Sequence, residues 1–165
     1  MARIALMILL FFVMAEPLFA SPQNFAHFSV DLPADWNGEE SSNFTPERGG
    51  EYMLVFKRHD EAGENIRGVV SVFLLPPLSN TTEEIAEKLA GMQEDSSPPQ
   101  KDGNFWTFTG EPRTQGFKAS AQTWVNSSPA HVLIVIVQDP DKLGGEKIFT
   151  DLRALTPEAK EVLGR

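Results

Sequence analysis

The chain has 165 residues, 41% of them hydrophobic, and 14 Lys and Arg stand against 23 Asp and Glu for a formal charge of −9. That acidic balance argues against nucleic acid and anionic lipid surfaces as partners, since both repel it. With 0 cysteines, the chain has neither a disulfide framework nor a thiol nucleophile, and burial alone must stabilise it.

The chain opens "MARIALMILLFFVMAEPLFA", with an early positive charge at Arg3, an unbroken apolar run from Ile4 to Met14, a polar break at Glu16-Pro17, and Ala20 closing a cleavage site. Crossing a bilayer takes roughly 20 apolar residues, about twice this run. Residues 1–20 are therefore read as a secretory signal peptide, and residues 21–165 as a single domain exported to the periplasm or the extracellular space. No cysteine follows the run to carry a lipid, so the exported product keeps no stable membrane anchor. Cleavage removes one charge of each sign and leaves the balance at −9. The absence of cysteine in an exported domain points to a bacterial periplasm. Three N-x-[ST] triplets, at Asn43, Asn80 and Asn126, are unremarkable matches in a chain with this much Ser and Thr.

In chain order, "AHFSVDLP" alternates Phe28, Val30 and Leu32 with Ser29 and Asp31, the period of a half-buried strand, which Pro33 ends. "EYMLVFKRH" and "RGVVSVFLLPP" follow, separated by the turn residues "DEAGENIRG", and predict a hairpin; the second is apolar on both faces and belongs inside a sheet. In "SNTTEEIAEKLAGMQED", Thr81 and Glu84 form a capping-box pattern, and Ile85, Leu89 and Met92 make one buried helical stripe. "SSPPQKDG" reads as a loop, because paired prolines supply no amide hydrogen. Three more strands are expected in "NFWTFTGE", "GFKASAQTWVN" and "HVLIVIVQDP", the last central and covered on both sides. "GGEKIFTDLRAL" places Ile148, Leu152 and Leu155 at helical spacing, and Thr156-Pro157 opens a last short helix. The expectation is an α+β fold: an antiparallel sheet of about six strands, in the order β-β-β-α-β-β-β-α, with helices packed against it.

A strand ending in Leu-Pro-x-x-Trp ("FSVDLPADW"), two or three further strands, a helix, three strands and a closing helix together resemble the PsbP-like superfamily. That group takes in the photosystem protein PsbP, the Ran-binding Mog proteins and bacterial DcrB-type exported proteins. The resemblance covers nearly all of residues 25–156. It implies the same sheet-and-helix architecture, and members that work mostly as assembly factors, chaperones or binding subunits. No family binding residue carries over, since no motif here matches one.

Candidate sites were weighed residue by residue. Trp36, just past the first strand, suits a ring that seals the end of the core, with ligand contact as its alternative role. "DPDKLGGE" echoes a calcium loop, but Leu143 and Thr150 stand where an oxygen donor and a bidentate Glu are needed. It reads as a turn capping the next helix, with Asp141 near that helix's positive end. "HDEAGE" has one histidine and no helix, so it lacks the two-histidine zinc pattern. His27 and His131 stand at the starts of predicted strands. Neither a G-x-S-x-G elbow nor a phosphate-cradling glycine loop occurs, and Gly49-Gly50 and Gly144-Gly145 read as turns. No metal, cofactor or catalytic residue is expected.

Rings gather at Phe105, Trp106, Phe108, Phe117 and Trp124, on strands expected to pair. If Trp106 and Trp124 share the less covered face, they form an exposed apolar patch, the usual mark of a partner. The sequence thus reads as an exported, non-catalytic protein-binding or accessory module whose partner is another envelope protein. A small-molecule or lipid-binding module is the alternative, with Trp36, Trp106 and Trp124 walling a cavity between helix and sheet. A hydrolase with an unrecognised carboxylate site stands third.

Overall fold

The computed structural model describes residues 22–41, 51–113 and 117–164. The signal segment 1–20, Asn43 and Gly49-Gly50 lie outside the described residues. In chain order the elements are β1 (Gln23–Asn24), β2 (Phe28–Val30), β3 (Trp36–Glu40), β4 (Tyr52–His59), β5 (Ile66–Leu75), α1 (Thr82–Gly91), β6 (Gln100–Asp102), β7 (Phe105–Gly110), β8 (Ala121–Ser127), β9 (Val132–Gln138), α2 (Gly145–Asp151), β10 (Arg153–Ala154) and α3 (Pro157–Leu163).

Seven strands form one antiparallel sheet in the order β3-β4-β5-β9-β8-β7-β6, and β1, β2 and β10 form a second, smaller one. The α+β class and the antiparallel sheet are as the sequence implies, and β9, "VLIVIVQ", lies at the centre with residues buried on both faces. The β4–β5 hairpin pairs Tyr52 with Leu74 through to His59 with Ile66.

Four local expectations change. The strand in "AHFSVDLP" leaves the main sheet: β2 pairs instead with β1 and with Arg153–Ala154 of β10. Its place at the edge is taken by β3, "WNGEE", a polar strand with one side of its ladder in use. β6 forms inside the segment expected to be a loop, pairing Asp102 with Phe105 across a turn at Gly103. Leu155 does not extend the helix through "EKIFTDL", because α2 stops at Asp151 and the chain becomes β10; Leu155 is 46% exposed.

Helix termini follow local chemistry. The Thr81 hydroxyl accepts from the Glu84 amide (3.2 Å), while the Glu84 carboxylate accepts from the Thr81 amide (2.9 Å), a complete capping box on α1. The stripe α1 buries is Ile85, Ala86 and Ala90, with Leu89 partly covered; Met92 falls beyond the last turn and is 67% exposed. Thr156 caps α3, with Pro157 in its first turn.

The core has two parts. On one face Phe28, Trp36, Phe56, Val70, Val72, Leu133 and Val135 pack with Ile148 and Phe149 of α2 and Ala159, Val162 and Leu163 of α3. On the other, α1 covers Phe108, Val125, Val132 and Ile134. The small sheet is tied to the main one through Glu40, whose carboxylate accepts from the Tyr52 hydroxyl (2.8 Å) and the Ala26 amide (2.6 Å). Burial, then the Glu40 carboxylate beside it, pushes the Tyr52 phenol above the usual tyrosine range, so this hydroxyl stays a donor. Among the described residues no helix is long and apolar enough to cross a membrane.

Candidate functional site

Antiparallel register decides which side chains meet. Thr107 lies opposite Trp124 and Thr109 opposite Gln122, so these four share one face of β7 and β8. This is the face on which α2 packs against β5 and β9 and α3 against β8 and β9. Between the start of α2 and the outer strands the covering layer stops, and a groove of about 690 Å³ remains. Thr107, Thr109, Gln122 and Trp124 line it from the sheet; Asp139, Lys142, Gly144 and Glu146 line it from the end of β9 and the start of α2; Asp102 enters from β6.

Trp124 is half-buried. Its ring centroid is 4.7 Å from that of Phe149 in a tilted contact, and Phe149 in turn meets Phe105 edge-on at 5.6 Å. Helix α2 therefore holds the indole in place from one side while the groove leaves part of it open. Beside it the Gln122 amide donates to the Thr107 hydroxyl.

The α2 wall of the groove is built by a single carboxylate. Asp139 accepts from the amides of Leu143 (2.8 Å), Gly144 (3.0 Å) and Gly145 (2.7 Å), folding residues 139–145 into a closed turn and capping α2, whose own N-cap residue has no side chain. Gly144 has φ +110, a conformation that any side chain strains, and an added Cβ would stand 3.0 Å from Pro33 Cγ. The capping role thus belongs to Asp139 and not to Asp141, which instead pairs with Arg67.

Trp36 is buried, 3% exposed, in the core. Its indole N–H donates to the Leu143 carbonyl (2.9 Å), the same atom that the Arg58 guanidinium reaches at 3.2 Å. An added Cβ on Gly68 would come within 2.7 Å of the ring, so β5, the strand beyond Arg58, has a glycine where the indole reaches it. Trp36 therefore joins the edge of the sheet to the turn that forms the groove wall.

Trp106 lies opposite Val125 and so points to the α1 face, where it packs against the Phe108 and Val125 cluster. The joint patch with Trp124 does not exist: the register sets the two indoles one residue out of step, on opposite faces of the sheet. Nor do the three tryptophans wall one cavity, since one is in the core, one beneath α1 and one in the groove. His27 Nδ1 meets the Thr156 hydroxyl at 2.9 Å, and His131 stands 3.6 Å from a Glu161 oxygen.

"HDEAGE" forms the β4–β5 loop beside a second depression of about 810 Å³. Its guanidinium groups are engaged, Arg58 with Asp35 and Arg67 with Asp141, and no aromatic ring except that of His59 lines it. Among the described residues no group of three or more His, Cys, Asp or Glu is placed to hold a metal ion. Thr107, Thr109 and Gln122 attract no notice in the sequence beyond their period-2 spacing, and the Asp139 cap is signalled only by an Asp standing five residues before a Gly-Gly pair.

No family model matches the chain, and no curated protein matches it in sequence. Among solved structures, a crystal structure from Bacteroides thetaiotaomicron VPI-5482 is similar over 79% of this chain, with 15% identity and a TM-score of 0.46; the match spans 46% of that longer chain. LpqN, involved in cell envelope biogenesis of Mycobacterium tuberculosis, is similar over 92% of this chain and 85% of its own, with 15% identity and a TM-score of 0.32. The solution structure of cyanobacterial PsbP from Synechocystis sp. PCC 6803 is similar over 82% of this chain and 93% of its own, with 11% identity and a TM-score of 0.47. At these scores the likenesses say nothing about site or partner. A PsbP stands among the structures to which this chain is similar.

Proposed function

We propose that this chain is an exported, non-catalytic accessory module that binds another envelope protein through the groove beside Trp124. The observation that carries the reading is the Trp124 ring itself. On the sheet face that α2, α3 and β2 cover, the Trp124 indole is only half-buried and borders the groove, backed by Phe149 and flanked by Thr107, Thr109 and Gln122. Tryptophan is enriched among the residues that dominate binding energy at protein interfaces, where a large rigid ring loses little entropy on contact. The volume also falls within the range of small-molecule sites, but such sites enclose most of their ligand, and this groove is open to solvent. Export rests on the N-terminal apolar run.

The test is site-specific photo-crosslinking in the native host, with the reactive residue at exposed Thr109 on the groove or at exposed Glu87 on α1. A defined protein adduct at Thr109, absent at Glu87 and lost when Trp124→Ala is added to a folded chain, supports the reading. The same adducts at both positions, or none at Thr109, would reject it. A small molecule co-purifying in native mass spectrometry and lost with Trp124→Ala would replace it with the ligand-binding alternative.

A further inference from the structure

We infer that the segment entering this groove is basic, with a lysine or arginine side chain against Trp124 and its charge answered by Asp102 and Glu146; this rests on the groove being the binding surface. The groove is lined by three carboxylates, Asp102, Asp139 and Glu146, against one ammonium group, Lys142. The three are not equivalent. Both Asp139 oxygens are committed to the amides of the turn, so its role is to build the wall. Asp102 and Glu146 are exposed, and neither has an ion pair among the described residues.

Several neighbouring basic side chains do not neutralise them. Lys101 lies opposite Trp106 in the β6–β7 register and so points to the α1 face, while Asp102 lies opposite Phe105 and points to the groove face. Lys147 pairs with Asp151, and Arg67 with Asp141. A partly open indole near unpaired carboxylates is the chemistry that receives a cation, because the ring face attracts positive charge and the carboxylates answer it. The whole chain's charge of −9 steers the same class of partner towards it. A neutral glycan would find the ring and would donate hydroxyls to the carboxylates, but would leave their charge unbalanced.

The test is a titration of the full, isotope-labelled chain with tetra-arginine amide, followed by amide and indole NMR shifts. Tetra-glutamate and triacetylchitotriose serve as the acidic and neutral probes. Tetra-arginine is expected to move the Trp124 indole N–H together with the amides of Thr107, Thr109 and Gln122. Asp102→Asn with Glu146→Gln should weaken it about tenfold at low salt, the size expected from two exposed ion pairs, and Asp102→Lys, the same two-unit change in charge, should weaken it to a similar degree. Both positions are exposed, so these variants fold. Equal response to tetra-glutamate, preference for the chitotriose, shifts confined to another surface, or unchanged affinity in the double variant would overturn the inference. The two readings fail separately. A Thr109 adduct captured undiminished by the Asp102→Asn/Glu146→Gln chain would leave the binding module standing and remove the basic partner; loss of the Thr109 adduct in the wild-type chain removes both.

Discussion

Along β5, Val70, Val72 and Leu74 turn towards α2 and α3 and are buried, whereas Val69, Ser71, Phe73 and Leu75 turn towards the α1 side and are only half-buried. The strand is the same and the residue types nearly so; what differs is the layer above. On one face two helices and the second sheet together cover strands from β4 to β8. On the other, α1 packs chiefly against β7 and β8, approaching closely through Ala86 and Ala90. The well-covered face is therefore the stiffer one. The groove lies on that face, where the covering ends beyond α2, so its ring and its wall rest against the larger of the two described cores.

The most direct way to break this comparison uses two adjacent leucines. Leu74→Ala empties a site that is 2% exposed and should cost about 3–4 kcal/mol, while Leu75→Ala, half-buried on the α1 side, should cost about 1–2 kcal/mol. Urea unfolding of both variants at matched slope decides it. Equal losses would mean that the two faces are equally well covered. Next in size is Asp139→Ala, which strips three amides of their acceptor and should cost about 1.5–3 kcal/mol. Because the Leu143 carbonyl is also the acceptor for Trp36, the Trp36 indole N–H resonance should shift with it. A stable variant with unmoved 143–145 amides would show that the turn holds without its carboxylate.

How far the sequence foretold this arrangement depends on the range of the interaction involved. Period-2 alternation in "EYMLVFKRH" and in the Ala121–Asn126 part of "GFKASAQTWVN", and the capping chemistry of Thr81, Glu84 and Thr156, are local and legible, although the strand starts only at Ala121 and residues 117–120 stay outside it. Edge strands β3 and β6 were not, since "WNGEE" and "QKD" bury too little to carry an apolar period. The departure of β2 into a second sheet depends on Arg153–Ala154, over a hundred residues further along the chain, a pairing that no local pattern encodes. Trp124 was legible as a candidate, but its face relative to Trp106 was not. Alternation within each strand says which residues agree; only the cross-strand register says which strand faces which way, and a slip of one residue reverses it.

A smaller effect should sharpen the same contrast. Thr81→Ala removes one arm of the capping box and should cost about 1 kcal/mol. It leaves in place the residue-81 amide, which foremost, with the Asn80 side chain after it, holds the Glu84 carboxyl below the usual range, so that arm of the box persists. Because α1 is the thinner cover, hydrogen exchange at the Ile85 and Ala86 amides should accelerate while the β9 amides keep their protection. Loss of protection in β9 to the same degree would mean that α1 and the sheet open as one unit.

The smallest effect concerns the β4–β5 loop, which serves both faces alike. Asp60 accepts from the Asn65 side chain (2.6 Å) and the Glu64 amide (2.9 Å), and these bonds, the Asn65 one foremost, hold its carboxyl below the ordinary 3.8. The bonds favour the ionised form, so the folded group titrates lower than the unfolded one. Its contribution is complete above the ordinary carboxylate value and is lost as pH falls through the depressed one. The group is exposed, so the dependence should be slight, and Asp60→Asn should remove it. If acidification instead narrows the gap between Leu74→Ala and Leu75→Ala, the loop is coupled to one face more than the other. An unchanged gap, with Asp60 titrating low by carbon-detected NMR, would locate the asymmetry in the layers above the sheet and not in the hairpin they share.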